Sequence, residues 1–302
     1  LAGLAACGDG GGTTAGPTGS GTGSGATTSP APTRTPGIPT LPEGLAESQR
    51  TAYRYGEHPR QVSDLWLPQE GPTRPGVVVL VHGGAWGPET DRSDTDRLVA
   101  DLVGRGHAVL NADYRGVEDT SPWPATLLDT AAAVDVVGQA AVEHGLDAGR
   151  VVLVGHSAGG HLALWAAARH RLPDGAPGAS PPGRPIAAVA MSGVVSPTAL
   201  GGEGGDPNVT RFFGGAPEEV PERYAVADPA RLVPLGLPLL LVHGTADDVV
   251  PPAQSQAFAE AARAAGDDVG LELTDGEGHG TPLYPSSRAW QLARAFATER
   301  LG

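Results

Sequence analysis

Val151-Val152-Leu153-Val154-Gly155-His156-Ser157-Ala158-Gly159-Gly160, running on into His161-Leu162-Ala163-Leu164-Trp165, decides the fold. Four consecutive apolar residues, three of them β-branched, read as a strand buried on both faces. The Ala- and Leu-rich run over 158–169 reads as a helix. Gly-x-Ser-x-Gly sits between them, with room only for a tight turn. In a chain with 45 glycines the five-residue match alone is weak; its place between a strand and a helix gives it weight. A sharp strand-to-helix turn lifts the Ser157 hydroxyl above the sheet, and the flanking glycines let other backbone pass close by. The helix N-terminus adds partial positive charge beside it. The plainer reading makes Ser157 a helix cap at a βα turn.

Outward from this stretch the chain alternates between strand and helix patterns. Apolar or alternating runs at 61–67, 77–81, 108–114, 186–191, 239–242 and 269–273 read as strands. Helices fit 94–103, 124–144, 252–265 and 286–300, and Gly104 and Gly145 act as stop signals. Repeated βα units with fully apolar strands predict a mostly parallel sheet with helices on both faces, an α/β fold. Residues 172–185, with five Pro and three Gly, read as a surface loop. The Gly-rich segment 196–216, with Phe212 and Phe213, reads as a loop that forms a lid or pocket wall, or packs.

A second chemical feature follows the 77–81 strand directly: His82-Gly83-Gly84-Ala85-Trp86. Glycines there can aim bare N–H groups at a substrate oxygen. Acyl transfer needs such donors where charge develops in the tetrahedral intermediate. Gly83 and Gly84, with the N–H of Ala158, are the expected oxyanion hole. His82 is expected to brace this loop. Trp86 is either a pocket wall or packing.

The motifs HGGAW, DYRG (113–116), GHSAGG (155–160), HGTADDVVP (243–251) and GHG (278–280) occur in this order along the chain. On them, residues 60–300 resemble the esterase and lipase side of the α/β-hydrolase superfamily. The resemblance is strongest to the group holding feruloyl and acetyl-xylan esterases and kynurenine formamidase. It implies an α/β-hydrolase fold, a Ser-Asp-His triad and a small-molecule ester substrate, with no metal or organic cofactor. In that fold the partners follow the serine in the order acid, then histidine. Of nine histidines only His243 and His279 follow the elbow by more than one helix. His243 precedes the acid, which leaves His279 as the base. The family pattern puts the carboxylate on Asp247, with the adjacent Asp248 as the competing choice and otherwise a turn former. His and Asp of HGTADD lack a third ligand at metal spacing.

Composition narrows the remaining classes. The 302 residues carry a net charge of -14, and every basic residue other than histidine is Arg. Such an acidic body disfavours nucleic acid. No run of eighteen apolar residues marks a spanning helix. The single cysteine, Cys7, rules out a disulfide within the monomer. Leu4-Ala5-Ala6-Cys7 resembles the bacterial lipobox, which implies a diacylglyceryl anchor on Cys7. Residues 1–7 are then the remainder of a lipoprotein signal peptide, 8–45 a disordered Gly/Ser/Thr/Pro tether, and 46–302 the catalytic domain. The tether reaches roughly 30–35 Å.

The leading expectation is a lipid-anchored carboxylesterase outside the cytoplasm, with a plain secreted protein as the other location. An exopeptidase of the prolyl-oligopeptidase type shares the triad order, but usually carries a large N-terminal propeller. A small-substrate amidase or formamidase is a further enzymatic choice. A surface lipoprotein that binds through a decayed hydrolase domain is the non-enzymatic one, and such decay would normally remove Ser157, Asp247 or His279.

Overall fold

The computed structural model describes residues 41–69, 75–118, 122–202 and 204–302. Cys7, expected to be lipidated, the expected signal segment 1–7 and the expected tether up to residue 40 lie outside the described residues.

Among the described residues eight strands form one sheet: β1 (Arg50–Arg54), β2 (Val62–Trp66), β3 (Val77–Val81), β4 (Ala108–Ala112), β5 (Val151–His156), β6 (Ala187–Met191), β7 (Leu239–Gly244) and β8 (Val269–Thr274). Their order is β1-β2-β4-β3-β5-β6-β7-β8. Pairs β1/β2 and β2/β4 are antiparallel, and all later pairings are parallel. The helices are α1 (Asp96–Val103), α2 (Ala125–Asp135), α3 (Val137–His144), α4 (Ala158–Ala168), α5 (Pro197–Leu200), α6 (Pro207–Phe213), α7 (Pro221–Ala227), α8 (Ala253–Ala264) and α9 (Arg288–Leu301).

The apolar strand runs follow from burial on both sides. Val77, Val79 and Val81 of β3 point into one core layer with Leu127 of α2, Leu162 of α4 and Phe258 of α8. Val78 and Leu80 point into the other, with Leu98 and Leu102 of α1 and Trp290 of α9. Each such Val or Leu contributes about 1.5–3 kcal/mol by leaving water. This is the α/β-hydrolase arrangement expected from the sequence.

Three details differ from that expectation. Strand β1 went unpredicted: it is an edge strand, and Tyr53 is its one buried residue. Segment 196–216 is partly helical, and Phe212 and Phe213 are buried within it. Residues 125–144 are long and apolar enough, by length and composition, to cross a membrane. Here they pack against the sheet as a core element. Buried Asp129 is fixed there by Arg115, Nε to Oδ2 at 2.7 Å, and by Gln61 at 2.8 Å.

Parallel strands share a C-terminal edge, and that edge positions the candidate residues. Gly83 follows β3, Ser157 follows β5, Asp247 follows β7 and His279 follows β8. Residues as far apart in sequence as 83 and 279 are thereby carried to one side of the sheet.

Candidate active site

Between β5 and α4 the chain turns within one residue. Ser157 occupies that turn with φ 56° and ψ −121°, a conformation costing of order 1–3 kcal/mol outside glycine. Surrounding bonds hold it there. Its N–H donates to Met191 O at 2.9 Å, and its carbonyl accepts from His161 N at 3.2 Å and Val194 N at 3.3 Å. Gly159 has no room for a side chain, because a Cβ would collide with the Val81 and His82 carbonyls. That close approach seats the elbow against the 82–86 loop.

The histidine and the acid reach Ser157 from the loops after β8 and β7. His279 Nε2 lies 2.9 Å from Ser157 Oγ. Its Nδ1 lies 2.9 Å and 3.1 Å from the two Asp247 carboxylate oxygens. A carboxylate can only accept, so the ring proton sits on Nδ1, and bare Nε2 faces the serine hydroxyl. Asp247 Oδ1 also accepts from Val249 N at 3.0 Å and Val250 N at 2.9 Å. Burial would raise its pKa, but hydrogen bonds from His243, His279 and Val250 N outweigh it and hold the carboxyl well below the usual range. Asp248, its neighbour, is exposed.

His156 ties the elbow to the histidine loop. Its Nε2 donates to the His279 carbonyl at 2.7 Å. Burial, and then the adjacent His279, push its pKa down to about 4, so the ring is neutral.

Loop 82–86 is aimed through its carbonyls. The Tyr114 hydroxyl faces His82 O at 2.8 Å and Gly83 O at 3.1 Å. His82 Nδ1 also faces Gly83 O, at 2.9 Å. In a trans peptide the N–H points opposite the carbonyl. Anchoring these two carbonyls therefore aims the N–H groups of Gly83 and Gly84 the other way, and neither has a protein acceptor among the described residues. Ala158 N, at the first position of α4, is free for the same reason as any helix-start N–H. Gly83 must lack a side chain: a Cβ would come within 2.9 Å of His156 O and 3.2 Å of Ser157 Cβ.

The frame beneath the loop is charged and aromatic. The His82 ring stacks on Tyr114 at 4.1 Å, and its Nε2 faces Asp113 Oδ1 at 3.2 Å. Asp113 also accepts from Arg60 Nε at 2.7 Å and an Arg92 terminal nitrogen at 2.9 Å. Burial would raise the Asp113 pKa, yet the His82 bond and both guanidiniums keep it lowered. Trp86 is packing: it is 1% exposed, stacks on Phe212 at 4.7 Å and donates Nε1–H to His161 Nδ1 at 3.1 Å. Arg211 on α6 clamps the same loop by donating to Ala85 O at 3.1 Å.

Two sets of residues escaped the sequence reading. DYRG was quoted as a motif, but nothing in it foretold that Tyr114 would orient the glycine loop. His243 was set aside by chain order, yet its Nε2 lies 3.2 Å from Asp247 Oδ2. Its place four residues before the acid was the available signal.

The BD-FAE family model matches residues 63–262. Esterase LipC of Mycobacterium tuberculosis is 29% identical over 279 residues, covering 89% of this chain and 68% of its own length. Esterase LipQ of the same organism is 30% identical over 239 residues, covering 76% of this chain; the chain spans just over half of LipQ, 56%. A truncated form of a carbohydrate esterase from gut microbiota shares the fold, with a TM-score of 0.72 over 86% of this chain and 99% of its own, at 24% identity. With a family model matching most of its catalytic fold and esterase relatives along most of its length, the chain belongs to the BD-FAE family of α/β-hydrolase esterases and is a carboxylic ester hydrolase.

Proposed function

We propose that this protein is a serine carboxylesterase that works through an acyl-enzyme on Ser157, with His279 as general base and Asp247 as its partner. The continuous chain of contacts from Ser157 Oγ to His279 Nε2 at 2.9 Å, and from His279 Nδ1 to Asp247 Oδ2 at 2.9 Å, carries this reading. His279 removes the serine proton as Oγ attacks the ester carbonyl carbon. The resulting oxyanion lies toward the N–H groups of Gly83, Gly84 and Ala158. Collapse of the tetrahedral adduct expels the alcohol, which takes the proton from His279. Water, deprotonated by the same histidine, then attacks the acyl carbon, and the second adduct expels the acid as Ser157 Oγ takes the proton back from His279. Asp247 keeps the ring proton on Nδ1 and stabilises the imidazolium without taking the proton.

The substrate on this reading is a small ester, in line with the esterase names of LipC and LipQ. Labelling by a fluorophosphonate probe tests the reading. Wild-type protein is expected to label stoichiometrically and Ser157→Ala to stay unlabelled; absence of wild-type labelling, or equal labelling of both, overturns it. p-Nitrophenyl esters of graded acyl length, acetylated xylan and N-formylkynurenine then assign the substrate class. Location is part of the proposal: a diacylglyceryl anchor on Cys7 outside the cytoplasm. Cys7→Ser should release the full-length protein from membranes, and a variant that still sediments with them contradicts the anchor.

A further inference from the structure

His243 is buried at the end of β7, with no exposed side-chain surface, and the triad has no use for it as a base. Every polar atom of its ring is nonetheless engaged. Nε2 lies 2.9 Å from Val250 O and 3.2 Å from Asp247 Oδ2. Both are pure acceptors, so the ring proton belongs on Nε2. Nδ1 lies 2.7 Å from Ser255 Oγ in the first turn of α8. With Nε2 protonated, Nδ1 carries the lone pair, and the Ser255 hydroxyl must donate to it. Ser255 itself is fully buried, so no water competes for that bond.

We propose that Ser255 and His243 form a positioning relay that sets the basicity of Asp247, extending the triad inward as Ser157–His279–Asp247–His243–Ser255. This rests on the triad reading above. The relay acts on charge. The Nε2–H of His243 is hydrogen-bonded to Val250 O, and at 3.2 Å its positive end still stabilises the negative charge on Asp247 Oδ2, the oxygen that also faces His279 at 2.9 Å. The titratable groups acting on Asp247 among the described residues are His243 on β7, His279 after β8 and, at longer range, His156 at the end of β5. Removing the His243 donor leaves a more basic carboxylate. That carboxylate stabilises the His279 imidazolium more strongly, so His279 keeps its proton to higher pH. The base is then unavailable over a wider acidic range.

The pH dependence of fluorophosphonate inactivation reads this without a known substrate. In His243→Leu the acid limb is expected to move up by about one pH unit, lowering the rate at pH 6 by about tenfold and the alkaline plateau far less. His243→Gln, which returns an N–H near the Nε2 position, should keep the limb near wild type, and Ser255→Ala should shift it in the same direction by less. Parallel profiles, lowered by one factor at every pH, would mean a merely structural role and overturn the proposal, as would a limb moving down. Where His243→Leu does not fold, nitrogen NMR of the wild type decides. A His243 ring protonated at Nε2 and bare at Nδ1 at pH 8 is expected, and the opposite tautomer refutes it. Failure of wild-type labelling would instead remove the triad reading, so the two failures are distinct.

Discussion

The loop proposed to aim backbone donors at Ser157 and the loop proposed to bring it a base are held by different means. Residues 82–86 rest on packed side chains. His82 and Trp86 are buried, Tyr114 anchors two carbonyls, and Asp113 collects Arg60, Arg92 and His82. The His279 loop has little packing of its own, since residues 275–281 are exposed or half-buried throughout. Hydrogen bonds pin it instead. Ala246 N donates to Glu277 O at 3.0 Å, the Glu277 carboxylate accepts from Arg288 N and Ala289 N at the start of α9, and His156 holds the His279 carbonyl. The difference matches the tasks. Fixed dipoles stabilise an oxyanion best when nothing has to reorganise. A base that passes a proton between serine, leaving group and water needs its backbone held and its ring edge open.

The largest effects break the base side. His279→Ala and Ser157→Ala should each lower kcat by about 10⁴–10⁶-fold, with the double variant hardly worse, because triad members act as a unit. Steady-state assays on a p-nitrophenyl ester would show it; additive losses would contradict the pairing. Asp247→Asn should cost about 10³–10⁴-fold by removing the acceptor that sets the His279 tautomer. Asp248→Asn should stay within about twofold, and the reverse ranking would move the acid to Asp248.

A pH experiment compares the two sides through stability. His156 braces the base loop, while His161 lies beneath the oxyanion loop, held by Trp86 and by Ala227 O at 2.7 Å. Burial pushes both down to about 4, with His279 adding to the shift at His156. The unfolded chain binds protons at these rings below about pH 6.5 and the folded chain does not, so both contribute fully above that value. Their contribution is lost as pH falls from about 6.5 toward 4, by about 3 kcal/mol each. Thermal melting should show that loss, and His156→Gln or His161→Gln should flatten the dependence by about half. An unchanged pH slope in both variants would mean that neither ring is buried neutral.

Legibility in the sequence followed the kind of constraint involved. Ser157 and the Gly83-Gly84 pair could be singled out because a tight strand-to-helix turn and a close backbone approach need small residues next to a strand, which is a local demand. Strands β3 and β5 were readable because burial on both faces leaves an unbroken apolar run. β1 was not, because in this edge strand only Tyr53 is buried, Ala52 and Arg54 are exposed, and Arg50 and Thr51 are half-buried, which leaves no such run. Phe212 and Phe213 could be noticed but not placed, since Gly and Pro around them mask two short helices. Tyr114 and His243 were invisible as supports for a plainer reason. Their roles come from stacking on His82 and from a contact with Asp247; the sequence carries no trace of the first and only the four-residue spacing to the acid for the second.

Tyr114 gives the smallest effect and the sharpest test of the comparison. Tyr114→Phe keeps the ring stacked on His82 and removes the hydroxyl that faces two carbonyls. His82 Nδ1 still faces Gly83 O, so the loop loses part of its anchoring and stays folded. The expected loss is about tenfold in kcat with KM hardly changed, the size of one donor whose aim has loosened. Since nothing on the His279 side is touched, the pH profile should keep its shape. If kcat stays at the wild-type level, the carbonyl anchors do not govern the donors, and the packed frame serves stability alone. If the acid limb moves, the two loops are coupled through Ser157, and their separation into a rigid donor wall and an independently pinned base is wrong.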